Sequence, residues 1–412
     1  MKMLSLKNDK FFLFIVFVIS LIVDSINGFL QIQLNIHTPV GVIFRLFVIF
    51  LLLKSIILNK RIFTTFIFLT VFILVPSMLY WQIEYGSDIG GEISDFSKII
   101  YTFLFIIFFY IKWDSFEKSV LLKYIVIYGL LISLSVIVCF YFNIGNRSYH
   151  DYGFGTKAFF KAGNDIGLTI IFALLLSYYY FFKYSPNFLT FLKCIIISVG
   201  AIFIGSRTAI IMSILVTSIV CIYLIFISYN RKILFIKITI ILMIVFLIPS
   251  FVNYVLLYFN DYMMSRFTFD SMESARTILT DAAAEKIANF DGFAILIGEG
   301  AKSLHTYIAE TKYSGLFEEK YVEADLYEMI GSYGFLIGGS IIAFYFYSAT
   351  KSLYIWFNKS NIYNFLLMTS IVSFIILGAI VGHALTNVMV APLFAVAFVL
   401  LVKNNSDENI II

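Results

Sequence analysis

Charge is what this 412-residue chain has least of. Asp, Glu, Lys and Arg make up 13% of it and hydrophobic residues 61%, whereas a soluble domain carries about 25% charged residues. Mean hydropathy is +0.95. An ordinary soluble domain is therefore excluded. Cysteine is also scarce. Cys139, Cys194 and Cys221 each sit inside an apolar run, so they read as small buried hydrophobes and neither a disulfide framework nor a cysteine metal site is expected. The net charge of +4 is too small to argue for nucleic acid. No internal repeat and no separate soluble domain is evident. The first apolar segment starts at Phe11 after Lys2, Lys7 and Lys10. It lacks an A-x-A-like cleavage site and is expected to be retained as a span.

What is there is a succession of apolar runs of around twenty residues, and about twenty residues at 1.5 Å rise cross a ~30 Å hydrocarbon core. The expected fold is all-α: a polytopic bundle of about twelve transmembrane helices, with every backbone group satisfied inside its own helix. The spans fall at roughly 11–30, 39–58, 62–81, 97–112, 119–142, 165–184, 188–205, 207–229, 233–259, 325–350, 362–382 and 384–402. Basic residues orient them. Lys54, Lys60, Arg61, Lys112, Lys118, Lys123, Lys183, Lys193, Arg231, Lys232, Lys237, Lys351, Lys359 and Lys403 all fall on one side, with the N-terminal lysines. The opposite segment 82–96 holds Glu84, Asp88, Glu92 and Asp95 and no Lys or Arg. This positive-inside pattern predicts both termini in the cytoplasm. Trp81, Trp113 and Trp356 fall at span ends, where interfacial aromatics are expected.

One long polar segment breaks the pattern. Residues 260–325 form the expected extracytoplasmic loop between spans nine and ten, within a single membrane domain covering 1–412. It carries Arg266, Arg276, Lys286, Lys302, His305 and Lys312 and ends in Glu323-Ala324-Asp325. Within it, 271–289 reads as an amphipathic helix lying on the surface, with Ile278, Leu279, Ala282, Ala283 and Ile287 as its apolar face. Gly298-Glu299-Gly300 reads as a tight turn. Glu323 and Asp325 admit two readings: a general base at the mouth of a cavity, if burial raises its pKa, or a charged first helical turn favoured by the dipole. Gly334 and Gly338 are spaced to let the following helix pack closely on a neighbour.

Other cations stand outside the topological pattern. Arg45 lies about two turns inside its span, facing either a cavity or an ion-pair partner such as Asp24, since charge at membrane depth costs at least ~2.5–3.5 kcal/mol. Arg207 follows Gly205 and Ser206 at a helix start, where free N–H groups and a guanidinium both suit a phosphate, or where the arginine reaches lipid phosphate. Arg147, His150, Lys157 and Lys161 share a loop with Tyr149, Tyr152 and several glycines, suited to a sugar phosphate or simply solvated.

These residues, taken in order, resemble a family. The matching stretches are Gly205-Ser206-Arg207-Thr208-Ala209, then Arg276 leading into Ile297-Gly298-Glu299-Gly300, then Glu323-Ala324-Asp325 followed by Gly334-Phe335-Leu336-Ile337-Gly338, with Gly382-His383 a weaker fourth. The chain resembles the O-antigen ligase and polymerase superfamily over roughly residues 160–400; the first five spans share only its hydropathy. The ligases carry a His-Asn pair where this chain has Glu323 and Ala324, and His305 lies too far upstream to match that histidine. The E-x-D is more like the repeat-unit polymerases.

The resemblance implies a glycosyltransferase in the bacterial inner membrane. It joins undecaprenyl-pyrophosphate-linked repeat units into O-antigen or a related lipopolysaccharide or surface polysaccharide. Glu323 or Asp325 would act as base. Arg207 and Arg276 would meet the departing pyrophosphate, and Arg45, Arg147, Lys161, Arg266 and His383 would bind pyrophosphate or glycan. No Asp-x-Asp with a nucleotide-sugar domain accompanies them, so no cofactor, metal, sugar nucleotide or nucleic-acid partner is expected; a chain-length regulator is a candidate partner. Three rival classes stand beside the polymerase. They are a ligase using a lipid A-core acceptor, a flippase or exporter with charges near the midplane and a pseudo-repeat, and a non-enzymatic scaffold indifferent to loss of its arginines.

Overall fold

The computed structural model describes residues 9–36, 38–57, 59–148, 155–227, 236–241, 270–313, 319–380 and 382–407. All named elements are helices, and among the described residues the only β feature is an isolated bridge between Arg147 and Thr156. In chain order they are α1 (Asp9–Gln33), α2 (Val40–Ile56), α3 (60–85), α4 (Ile89–Lys112), α5 (Lys118–Phe142), α6 (Gly163–Tyr184), α7 (Phe188–Phe203) and α8 (Arg207–Ile222). After the gap come α9 (Asp270–Ala288), α10 (Ala294–Ile297), α11 (Ala301–Tyr313), α12 (Asp325–Tyr333), α13 (Gly339–Asn358), α14 (Ile362–Ile380) and α15 (Ala391–Asp407). Seven described stretches are long and apolar enough to cross a membrane, so the chain is an all-α protein with membrane-spanning character. Most of the ninth expected span, 233–259, lies outside the described residues.

The helix starts follow local chemistry. Asn187 caps α7 by accepting from the Thr190 N–H at 2.9 Å, and Ser206 caps α8 through Ala209; a cap of this kind contributes about 0.5–2 kcal/mol. Asp88 does the same for α4, accepting from Gly90 and Gly91. That cap corrects the expected loop at 82–96. Helix α3 runs on to Tyr85 and α4 begins at Ile89, because Asp88 caps the new helix and Glu92 is a buried anchor within it.

Contacts divide the chain into two units. The first holds α1 and α5–α8. Its centre is α6, buried along most of its length, with α5, α7 and α8 packed around it. The loop after α5 is tied by Asn146, whose amide donates to the Phe160 carbonyl at 3.1 Å and accepts from Gln33 at 2.7 Å. Cys139 and Cys194 are buried here and Cys221 half-buried, all as free thiols.

The second unit holds most of α2 together with α3, α4 and α9–α15. Helix α15 packs along α4. The described residues 270–313 of the polar segment are largely helical. Helix α9 does form where expected, but its apolar face does not lie on a surface. Leu279, Ala282 and Ala283 are buried against Leu304 and Ile308 of α11 and against Val322 and Ala324, while Ile278 points outward at 45% exposure. Trp81 and Trp113 are likewise buried. The indole of Trp81 donates to the Gly298 carbonyl at 3.0 Å, so this ring fastens α3 to the turn before α11.

The tenth expected span, 325–350, is bent. Gly334 has φ +65° and ψ −176°, a combination open essentially to glycine alone, and the chain reverses there. A Cβ on Gly338 would lie 3.2 Å from the Ile330 nitrogen, so α12 folds back along the start of α13. Asp325 accordingly lines the same narrow crevice as Ile342 and Tyr345 of α13. The close packing expected of Gly334 and Gly338 exists, but the neighbours are α12 itself and the α10 turn. The last expected span also starts late, at Ala391, because 382–390 is an irregular loop.

Candidate functional site

The site grows from the short extended segment 319–324 that leads into α12. Glu323 is half-buried and meets Arg276 of α9, whose Nε donates to its Oε2 at 3.4 Å. The same guanidinium donates through Nη1 to the Ile380 carbonyl at 3.2 Å, at the end of α14. Arg276 thus spans the carboxylate and the entrance of the 382–390 loop.

Asp325 holds that loop. It is 1% exposed, and its two oxygens accept from the backbone N–H groups of His383 at 2.6 Å and Leu385 at 2.8 Å. His383 sits in the left-handed region at φ +62° and Gly382 at +75°. A non-glycine residue there is strained by roughly 1–2 kcal/mol, which the pair of charge-assisted bonds offsets. Of the two expected carboxylates, Asp325 is therefore a buried anchor, and Glu323 is the one whose oxygens reach the surface.

Beside Glu323 lies Tyr321, 40% exposed. Its ring stands 4.2 Å from that of His305 and 6.4 Å from that of His383, and the Lys98 ammonium lies 5.7 Å from its centre. Lys98 also pairs with Asp95 at 2.5 Å. Burial, together with the negative charge of Asp95, Glu319 and Glu328, raises the Tyr321 phenol above its ordinary value, so at neutral pH it remains a hydrogen-bond donor. An aromatic face with a lysine over it, two residues along the chain from an arginine–carboxylate pair, suits a sugar ring next to an anionic group.

Behind the tyrosine, His305 and Glu328 form a buried pair at 2.5 Å, and Glu328 also accepts from the Val322 N–H at 3.1 Å. The His305 carbonyl accepts from the Lys320 N–H. Helix α11, through the His305 carbonyl, and α12, through Glu328, therefore hold the backbone on either side of Tyr321. The other end of α11 is held by Glu92 of α4, buried at 1% exposure, whose carboxylate accepts from the Ala301 and Lys302 N–H groups, both at 3.0 Å. This is a carboxylate on a helix N-terminus, where free donors and the dipole both favour it. Next to it, Glu299 pairs with Lys286 at 2.5 Å and accepts from Ser303.

His305 carries a pH dependence. Burial works against its charge, but the Glu328 carboxylate beside it, with Asp95 and Glu319 further off, raises its pKa above the ordinary 6.5. A raised folded-state pKa gives a stabilisation fully present below the unfolded value and lost as pH rises through the folded one. Thermal unfolding of the purified protein is expected to show a Tm that falls as pH is raised above about 6.5. In His305→Gln this fall should flatten, with the variant lower throughout, since breaking a buried pair costs about 3–5 kcal/mol.

Of the residues singled out in the sequence, Arg276, Glu323, Asp325 and His383 come together in this unit. Arg45, in the same unit, is buried within α2 at 5% exposure. Arg207 heads α8 in the other unit, half-buried after the left-handed Gly205. Arg147, also in that unit, is exposed and donates to the Asn143 side chain at 2.9 Å; Lys161 is exposed, and its carbonyl accepts from the Lys157 ammonium. Arg266 and His150 lie outside the described residues. Sequence reasoning passed over Lys98, Tyr321, Glu328 and Glu92. Lys98 did carry a signal, being an ionisable residue just inside the expected span 97–112; Glu92 was read with the acidic segment 82–96. Among the described residues no group of three or more His, Cys, Asp or Glu side chains is placed to hold a metal ion.

The fold and this site define a class: an all-α protein of apolar, membrane-crossing helices with a small polar helical layer that carries a charged and aromatic cluster. The chain matches no family model and no curated protein.

Proposed function

We propose that the chain is a polytopic enzyme of about twelve spans in the bacterial inner membrane, with both termini cytoplasmic. It polymerises polyprenyl-pyrophosphate-linked oligosaccharide repeat units on the outer face. The observation that carries this reading is the half-exposed Arg276–Glu323 pair beside the exposed face of Tyr321, set among apolar helices. The acceptor's sugar hydroxyl attacks the anomeric carbon of the donor. A new C–O bond forms there while the bond to pyrophosphate breaks, and its electron pair leaves with the pyrophosphate. Glu323 takes the hydroxyl proton. Arg276, with Lys98 near the tyrosine, meets the charge that develops on the leaving group. Tyr321 supports a sugar ring. Asp325 acts indirectly, by holding the loop that supplies His383 and follows the end of α14, where the Ile380 carbonyl lies. Arg207 in the other unit keeps its expected role toward phosphate, which the Arg207→Ala variant reads separately.

Deletion of the gene in its host tests the reading through the profile of lipid-linked and surface polysaccharide. The expected result is surface acceptor capped with one repeat unit and no long-chain ladder. Long chains stranded on the lipid carrier would instead mean a ligase. Single units held on the cytoplasmic leaflet would mean a flippase, and the roles given to Glu323 and Arg276 would fall.

A further inference from the structure

The three helices of the polar layer do not present the same kind of surface. The outward residues of α9 are mostly polar, Thr277, Asp281 and Glu285 beside the single Ile278, and those of α11 include Lys302, Glu310, Thr311 and Lys312. Helix α10 between them is different. Ala294 is buried, while Phe293, Ile295 and Leu296 are 67%, 44% and 47% exposed. Three adjacent bare apolar side chains are not explained by packing within the unit.

Their surroundings say what covers them. Helix α10 packs on the Gly334 reversal, where a Cβ on Gly334 would run into the Leu296 and Gly298 backbone. At that reversal Phe335 and Leu336 are 53% and 51% exposed. On the flanking helices, Leu79 and Ile83 of α3 and Ile93 of α4 are also exposed, and Phe293 touches Tyr80 edge-on at 6.2 Å. The patch is thus continuous with the apolar outer surface of the membrane-crossing helices.

Its level can be read along α13. That helix has 20 residues, about 30 Å at 1.5 Å per residue, which equals the thickness of the hydrocarbon layer. Trp356 and Lys359 mark one end as headgroup level. The opposite boundary then falls at Gly338–Gly339, beside Phe335, Leu336 and α10.

We infer that α10 is an interfacial anchor: Phe293, Ile295 and Leu296 enter the lipid at the headgroup–acyl boundary of the leaflet on the site's side. The occupant of this face is lipid. Short apolar segments dip about 5–10 Å into that boundary, and aromatic residues favour it. The anchor ties the polar layer to the bilayer surface through Gly298, whose carbonyl accepts from Trp81. It keeps the Arg276–Glu323 pair at a set height over the membrane, whatever reaction the pair serves.

Single cysteines at 293, 296 and 335, in a chain with Cys139, Cys194 and Cys221 replaced by alanine, test this. Each is labelled with an environment-sensitive fluorophore in the full-length protein, reconstituted in phosphatidylcholine nanodiscs. A fourth label at Asp281, outward on α9, reports water. The expected result is blue-shifted emission at 293, 296 and 335, quenched by nitroxide lipid and protected from aqueous iodide, with the reverse at 281. Water-like emission at 293 and 296 with lipid-like emission at 335 overturns the anchor. Water-like emission at all three overturns the placement of the boundary as well. A monodisperse nanodisc peak for each labelled protein verifies that a water-like signal comes from folded chain.

Discussion

Replacing Arg276 by alanine is expected to lower the rate of repeat-unit transfer by roughly 100–1,000-fold, the usual cost of removing one donor aimed at developing charge. Thermal stability should hardly change. The Arg276–Glu323 pair is about a third exposed on both sides, and such pairs contribute about 0–1 kcal/mol. The lost Nη1–H bond to the Ile380 carbonyl adds little more. Arg276→Lys keeps the charge and loses the fork, so it should fall between the two. Glu323→Gln removes the proposed base while keeping shape, and a loss of about 100–10,000-fold is expected. Both are read as transfer between lipid-linked repeat units in proteoliposomes and as the surface ladder in cells. If both variants elongate normally, Arg276 and Glu323 are not the chemistry and the proposal fails.

Asp325 is expected to behave in the opposite way, with stability and activity falling together. Asp325→Ala leaves the His383 and Leu385 N–H groups buried without their acceptors, each at about 1–3 kcal/mol. The expected loss is therefore roughly 2–6 kcal/mol, seen as a lower Tm of the detergent-solubilised protein. Asp325→Asn should recover only part of it, because its amide group turns a donor toward one of two donors. Activity should drop because the 382–390 loop, unpinned, no longer holds His383 and the end of α14, where the Ile380 carbonyl meets Arg276. An Asp325→Ala protein that is inactive yet as stable as the parent would mark Asp325 as a chemical participant instead of an anchor.

These two carboxylates show where reading the chain as a string falls short. Glu323 and Asp325 are two residues apart and chemically alike, so spacing gives no way to rank them. The difference arises because the backbone turns into α12 between them. One side chain is left at the surface beside Arg276, and the other is driven into the crevice against Gly378 and the 382–390 loop. His305 is a similar case. It is far from Glu328 in sequence, and the fold of α11 against α12 makes them partners. Glu92 looked like part of a solvated acidic loop, yet it caps α11 from within α4.

Hydropathy and charge settle the class of this protein by themselves. Apolar runs long enough for a bilayer must be helices, because only an intra-segment hydrogen-bond ladder satisfies the backbone there. For the same reason most helix bounds from Lys118 to Ile222 fall within a few residues of those read from the sequence. Local chemistry also located the helix start at Gly205-Ser206-Arg207, the α9 helix and the Gly298–Gly300 turn. Only the tertiary structure decided which face of α9 is buried, that the stretch after Asp325 folds back at Gly334, that Arg276 meets Glu323 and that Lys98 meets Tyr321. Those outcomes depend on contacts between segments remote in sequence, where a buried carboxylate or a close backbone approach selects one packing among several that the same hydrophobic pattern allows.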